Sequence, residues 1–387
     1  MDFESLFDIP IDDLHTPCYL TDARLLQKNT ALLKQIQQRT GCKILLAQKA
    51  FSMFSAYPLI RDDLAGTTAS GLFEAKLGRE HFGKEVHVFS PAYTQEDFTQ
   101  LLKLCDHIVF NSFGQWKKYR QQVQDATRNI SCGIRINPGY AEVETDLYNP
   151  CISGSRMGVP LEQMEDDDFA GLDGIHFHTM CEQNSDVLER TLDHMLPQFD
   201  KWLKRCKWVN FGGGHHITRP GYALATLESC ILSVRQKYGV QVYLEPGEAW
   251  ALNAGYLVTT VLDTLRNGDT SLAILDMSAA CHTPDVIEMP YRPPLLDAGE
   301  AGEKAHTVRL GGPTCLAGDI IGDYSFDAPL AEGDKLIFGD MAIYTTCKNN
   351  TFNGMPLPPI WLLGADGNCR ELVRFGYQDF KMRLGAQ

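Results

Sequence analysis

The chain has 387 residues and a formal charge of −14, from 35 lysines and arginines against 49 acids, so it can hold two domains or a barrel with an appendage, and it lacks the basic face that nucleic-acid phosphates require. No apolar stretch approaches the roughly 18 residues of a membrane span, and the acidic start MDFESLFDIPIDDLHTP has neither the basic nor the apolar region of a secretory signal. The 12 cysteines form no CxxC pair, so the expectation is a cytoplasmic protein with reduced thiols, no structural zinc and no membrane or nucleic-acid partner, whose charge suits a small cationic substrate.

Thr16 to Leu20 reads as a short strand, and Asp22 as the cap of a helix in which Leu25, Leu26, Asn29, Leu32, Leu33 and Ile36 recur at helical spacing before Gly41 ends it. Short apolar runs then alternate with helical stretches. The predicted strands are Ile44–Ala47, Gly66–Ala69, Val86–Phe89, Ile108–Phe110, Cys132–Ile136, Gly174–Phe177, Trp208–Phe211 and Val240–Leu244. The helices between them are predicted over Phe73–Phe82, Gln95–Leu104, Gln115–Val123, Ser185–Lys204 and Leu224–Tyr238. Eight strands alternating with helices point to an α/β chain built on a parallel (β/α)8 TIM barrel, here 21–255. An open doubly wound sheet would call for GxGxxG opening a helix after the first strand, and none is present. Past Asn253 the rhythm changes to strand-like runs broken by Gly, Pro and Asp: Leu257–Leu262, Ser271–Leu275, Thr307–Leu310, Lys335–Phe338, Ile360–Leu363 and Glu371–Phe375. These make a second, β domain from 256–387 with 1–20, a sandwich or barrel to which the N-terminal strand is joined.

In such a barrel the chemistry gathers at the carboxyl ends of the strands. Lys49 follows the first predicted strand at once, and desolvation there lowers an ammonium pKa toward the usable amine that a Schiff base needs. After later strands come Ser70 with Glu74, Arg135 with Asn137, His178, the run Gly212 to Gly214, and Glu245. These types suit a phosphorylated, ring-bearing cofactor: glycine N–H groups approach a phosphate, a carboxylate holds a pyridinium nitrogen, and an imidazole stacks on the ring. His176 and His178 are expected to point to opposite faces of their strand, one toward the cofactor. His215 and His216 raise the question of a metal, but neighbouring side chains point apart and no third ligand stands at a suitable spacing, so none is expected.

At these residues the chain resembles the fold type III pyridoxal-phosphate decarboxylases, the group of ornithine, arginine, diaminopimelate and carboxynorspermidine decarboxylases. The resemblance runs from TPCYL through AQKA at Lys49, SRMG at Ser155, FH at His178, FGGG, EPG at Glu245, GPTC at Cys315 and AIYTT at Tyr344 to FNG at Phe352. It implies an alanine racemase-like barrel that carries pyridoxal 5'-phosphate on Lys49, with His178 on the ring, Glu245 at its nitrogen, and Gly213, Gly214 and Tyr344 at the phosphate. Arg135 joins the cofactor site, and Cys315 is implied to reprotonate the substrate carbon from the partner subunit of a homodimer with active sites at its interface.

Three departures narrow the branch. Glu248 stands where the ornithine and diaminopimelate enzymes usually have arginine after EPG, Cys181 replaces an expected serine, and Leu316 replaces an acid after the cysteine. Together with DMSAACHTPDVIEMPYRP they look like the carboxynorspermidine/carboxyspermidine decarboxylases of polyamine biosynthesis. A glutamate in place of a carboxylate-reading arginine suits a substrate whose far end is an amine, and Asp276, Asp285 and Glu288 add candidate substrate-binding acids. The alternatives are decarboxylation of another basic amino acid such as ornithine, lysine or diaminopimelate, a non-catalytic cofactor-binding protein on the same fold, and a racemase.

Overall fold

The computed structural model describes Ile11 and residues 14–385, so the acidic start that bears on targeting lies outside the described residues. The chain forms two compact units, one of Gln27–Trp250 and one of the residues up to Leu26 with those from Ala251 onward. Strand β1 (Cys18–Asp22) belongs to the second of these. Asp22 caps the helix Ala23–Thr40 by accepting the Arg24 N–H at 2.8 Å, and Leu26, Leu33 and Ile36 form its buried stripe.

Within Gln27–Trp250 the strands are β2 (Lys43–Ala47), β3 (Gly66–Ala69), β4 (Glu85–Phe89), β5 (His107–Phe110), β6 (Ser131–Asn137), β7 (Val159–Pro160), β8 (Gly174–His176), β9 (Trp208–Asn210) and β10 (Gln241–Leu244). All pair in parallel, and contacts of β10 with β2 and of β5 with β6 close eight of them into a barrel, β7 adding beside β6. Leu45, Val109, Trp208 and Tyr243 fill its interior. Glycines on β6 and β8 make room for the indole: a Cβ at Gly133 would lie 2.3 Å, and at Gly174 2.1 Å, from Trp208 ring atoms. The amino-terminal mouth is polar. Glu85 pairs with Lys43, accepts from Tyr243 Oη at 3.1 Å and meets His87 Nε2 at 3.2 Å.

The other unit holds a mixed sheet of β1, β11 (Gly255–Asn267), β12 (Thr270–Leu275), β13 (His306–Gly311), β14 (Ile320–Phe326), β15 (Lys335–Gly339), β16 (Ile360–Leu363) and β17 (Cys369–Val373). β1 lies between β11 and β16, so the N-terminal strand is built into the C-terminal sheet as expected. Both faces of β1 and β11 are covered, with Tyr19, Leu257 and Val261 in one core and Cys18, Leu20, Tyr256 and Val258 in another.

The barrel strands and the helices Gln95–Leu104 and Leu224–Tyr238 lie where the pattern places them. Other elements differ. The predicted helix 73–82 is α-helical over Leu72–Leu77 and then widens into a π turn over Gly78–Phe82. The last predicted strand lies at Cys369–Val373 rather than 371–375. β14 was not expected, because Gly322 and Asp323 interrupt its apolar pattern.

Candidate active site

The carboxyl ends of the barrel strands enclose a cavity of about 630 Å³ lined by Lys49, Ser70, Arg135, His176, His178 and Glu245 among others. Lys49 sits in the turn after β2. Its neighbour Gln48 is fully buried, taking a hydrogen bond from Tyr57 Oη at 3.0 Å and donating to the Glu74 carbonyl at 2.7 Å, which leaves Lys49 to project into the cavity. Solvent reaches the Lys49 side chain through the open cavity, yet protein crowds it. Burial and then the Arg135 cation lower its pKa, against the pull of Glu245, Glu248 and Glu74. Its Nζ makes no hydrogen bond or ion pair among the described residues, so the amine is available as a nucleophile.

Glu245, directly after β10, is nearly buried. Burial alone would raise its pKa, but His176, His87 and Asn210 bring it down to about 2. Burial lowers the His176 pKa against the pull of Glu245, and its Nε2–H donates to Glu245 Oε2 at 3.1 Å. Asn210 Nδ2 donates to Glu245 Oε1 at 2.7 Å, and its Oδ1 accepts the Gly212 N–H at 2.8 Å, which fixes the amide's orientation. Arg135 is buried with its guanidinium 4.7 Å over the Phe89 ring, and Nη2 donates to the His178 carbonyl at 3.3 Å. Burial lowers its pKa to about 10, so it stays a cation at neutral pH. His178 Nδ1 accepts the Gly213 N–H at 3.0 Å, and burial with the Lys49 and Arg135 charges holds the ring neutral.

The expectation that His176 and His178 face opposite ways is wrong, since both line the cavity. Residues two apart in a strand share a face, and the spacing itself should have placed them together. Asn210 was missed, although a polar residue closing the run Trp208–Asn210 was the available signal. Asn137 is not among the residues that line the cavity: its side chain accepts the Gly139 N–H at 2.9 Å and donates to the Pro150 carbonyl at 3.4 Å, holding the following loop.

The remaining expected residues stand elsewhere. Glu248 lies 3.4 Å from His216 Nε2, in the barrel unit. In the β unit Cys315 is exposed, and its N–H donates to Asn353 Oδ1 at 3.0 Å. The buried Asp319, unforeseen in the sequence, holds that loop by accepting from Thr314 Oγ1 at 2.7 Å and Ser278 Oγ at 3.0 Å. Tyr344 has φ +58° at the start of the short helix Thr345–Lys348. Asp276 accepts from Thr259 Oγ1 at 2.6 Å and the Thr260 N–H at 3.0 Å, while Asp285 and Glu288 both pair with Lys348.

The family described as "Pyridoxal-dependent decarboxylase, C-terminal sheet domain" matches residues 18–342. The chain belongs to the pyridoxal-dependent decarboxylase family. This decarboxylase is 41% identical to the carboxyaminopropylagmatine decarboxylase of Synechocystis sp., over 97% of each chain. It is 40% identical to the carboxynorspermidine/carboxyspermidine decarboxylase of Campylobacter jejuni, over 96% of this chain and 99% of that one. The crystal structure of carboxynorspermidine decarboxylase from Campylobacter jejuni, complexed with norspermidine, superposes with a TM-score of 0.88 at 39% identity, covering 96% of this chain and all of that one.

The family's cofactor is pyridoxal 5'-phosphate, and the residues present fit it. Glu245 is an ionised acceptor suited to a ring N–H. The glycine loop is shaped for close approach: a Cβ at Gly213 would lie 2.6 Å from the Glu245 carbonyl oxygen, and at Gly214 (φ +81°) 2.0 Å from that of Met180. The N–H groups of Gly214 and His215 donate to no acceptor among the described residues, as a phosphate cradle requires. Among the described residues, no helix is long and apolar enough to cross a membrane.

Proposed function

We propose that this decarboxylase converts carboxynorspermidine to norspermidine, and carboxyspermidine to spermidine, releasing carbon dioxide. The observation that carries the reaction class is the pairing in one cavity of an ionised carboxylate, Glu245, with a lysine whose amine is unpaired and shifted toward its neutral form. Near-full-length identity to the Campylobacter jejuni enzyme supports the substrate.

When bound, pyridoxal phosphate supplies the sink for the electrons that the departing carboxylate leaves behind. Lys49, whose pKa burial lowers, would hold the cofactor covalently through its side-chain nitrogen, Glu245 would accept from a ring N–H, and His178 would pack on the ring. Gly213 and Gly214 would hold the phosphate, with Tyr344 the further residue that the resemblance implies. Arg135 would add a fixed positive charge to the cavity that holds the cofactor. Cys315, on a loop anchored by Asp319 and Asn353, donates the proton that replaces carbon dioxide on the substrate carbon. The chain works as a homodimer in which Cys315 comes from a second copy; light scattering at the mass of one chain in the active enzyme would overturn that assembly.

Carboxyaminopropylagmatine is a second candidate substrate, favoured by the identity to the Synechocystis enzyme. The deciding experiment adds the three carboxylated polyamines, ornithine, lysine and diaminopimelate in turn while released carbon dioxide is measured. Turnover of carboxynorspermidine or carboxyspermidine at the highest kcat/KM supports the proposal, and preference for any of the others overturns it. Lys49→Ala is expected to lose both the absorbance of covalently held cofactor and carbon dioxide release.

A further inference from the structure

Three loops at the carboxyl end of the barrel bring Glu182, His216 and Glu248 together, with one ligand-type atom from each within 4.8 Å of the others. The loops follow β8, β9 and β10, and no role in decarboxylation uses Glu182 or His216. His216 is only 9% exposed, and neither of its ring nitrogens makes a hydrogen bond of full geometry among the described residues, although the Glu182 backbone and the Glu248 carboxylate both approach the ring. A buried imidazole held only by such marginal contacts forgoes part of the roughly 1–3 kcal/mol that full satisfaction is worth, so its orientation calls for a reason.

The contact between His216 Nε2 and Glu248 Oε2 supplies one. It measures 3.4 Å and lies outside hydrogen-bond geometry. Two ligands on one ion, each bonded at about 2.1 Å, sit roughly 3.0 Å apart at a right angle and roughly 3.4 Å apart at a tetrahedral angle. The observed separation matches two ligands at a tetrahedral angle, and it is also the length of a loose ion pair. The third ligand, Glu182, is exposed, so its side chain can swing inward and leave a path from solvent.

The backbone under the cluster is set. The Gln183 N–H donates to the Gly214 carbonyl at 3.0 Å, the His216 N–H to the Gln183 carbonyl at 3.3 Å, and the Arg219 N–H to the His216 carbonyl at 2.9 Å. These bonds tie the first two loops together and hold the ring where it is. By contrast Glu85, His87 and His107, which also approach one another, do not suit a metal. The two imidazoles there stack at 3.9 Å with 7° between their planes, so their in-plane lone pairs run side by side and cannot converge on one ion.

We infer that Glu182, His216 and Glu248 form a binding site for a divalent first-row transition ion such as Zn(II) or Mn(II). One imidazole nitrogen with two carboxylates matches the borderline-soft donor preference of these ions, and two negative charges balance the ion's two positive ones. Magnesium and calcium prefer all-oxygen sites and fit less well.

The test strips the cofactor-loaded enzyme with chelator and titrates it with Mn(II), following loss of the free ion's electron paramagnetic resonance signal, and repeats the titration by competition with Zn(II). One saturable site per chain is expected. Glu182→Gln, an exposed substitution that leaves the fold intact, is expected to weaken it at least about tenfold, and His216→Asn likewise. Co(II) substitution is expected to give visible bands that change in His216→Asn. Absence of saturable binding at millimolar ion, or equal affinity in wild type and Glu182→Gln, overturns the inference. So does a Glu182→Gln enzyme that binds no less metal but binds norspermidine more weakly, which would make the cluster an ammonium site.

Discussion

Asn210 has an amide with two fixed partners, one end on the Gly212 N–H and the other on Glu245. Removing it leaves Glu245 Oε1 without a donor in a buried site, at a cost of about 1–3 kcal/mol. Because the lost bond favoured the ionised form, the carboxyl pKa rises toward the ordinary range. Asn210→Ala is therefore expected to move the acid limb of the kcat/KM profile upward by about one pH unit or more, since 1.36 kcal/mol is one unit. kcat at neutral pH is expected to fall about tenfold, the rate equivalent of about 1.36 kcal/mol. An acid limb that stays in place would show that Asn210 serves only the Gly212 turn. His176, the other donor to Glu245, places Nε2 3.1 Å from Oε2, and its pull on the carboxylate is the largest of those that lower the Glu245 pKa.

The glycine loop between β9 and the Leu224–Tyr238 helix does for an anion what single side chains do for the ring. Gly213→Ala would drive a Cβ to 2.6 Å from the Glu245 carbonyl oxygen, a backbone atom that cannot swing aside. The expected result is a loss of about 1–3 kcal/mol in stability and at least tenfold weaker cofactor retention on dialysis, read from the bound-cofactor absorbance. Retention equal to wild type would remove the loop from the cofactor site. This loop and the barrel strands were legible in sequence because buried parallel strands are continuous apolar runs, and because lysine, arginine and triple glycine at their ends have no packing reason to be there. β14 was not legible, since its Gly322 and Asp323 break the pattern that pairing with β13 restores. The Glu182, His216 and Glu248 cluster was also hidden. Its members come from loops separated by more than thirty residues, and only closure of the barrel makes β8, β9 and β10 neighbours.

Across the whole molecule, both units carry buried ionisable groups whose balance sets the response to acid. In the β unit His282 is fully buried, its Nδ1 accepting the Ser278 N–H at 3.2 Å and its Nε2–H donating to the Pro356 carbonyl at 3.1 Å. Protonation would put a second donor against the Ser278 N–H. Burial lowers the pKa to about 4, the Pro356 contact, Asp319 and Asp276 pulling the other way. In the barrel, burial and His87 bring His107 down to about 2. Each of these rings takes a proton in the unfolded chain near pH 6.5 and refuses it in the folded one until its own lower value. Below about 6.5 the unfolded state binds more protons, so stability falls as pH falls, by about 1.4 kcal/mol per pH unit for each group. For His282 the loss is complete near pH 4 and amounts to roughly 3 kcal/mol. Glu85, held at about 2 by His87 and Lys43 against its burial, extends the loss below pH 4.5. Denaturant midpoints of wild type and His282→Asn, measured from about pH 7 to about pH 4, are expected to diverge. The variant keeps an acceptor for the Ser278 N–H but has nothing to titrate, so its decline should be shallower by the share of one histidine. Parallel declines would assign the acid sensitivity to the barrel unit, where His107 and Glu85 lie.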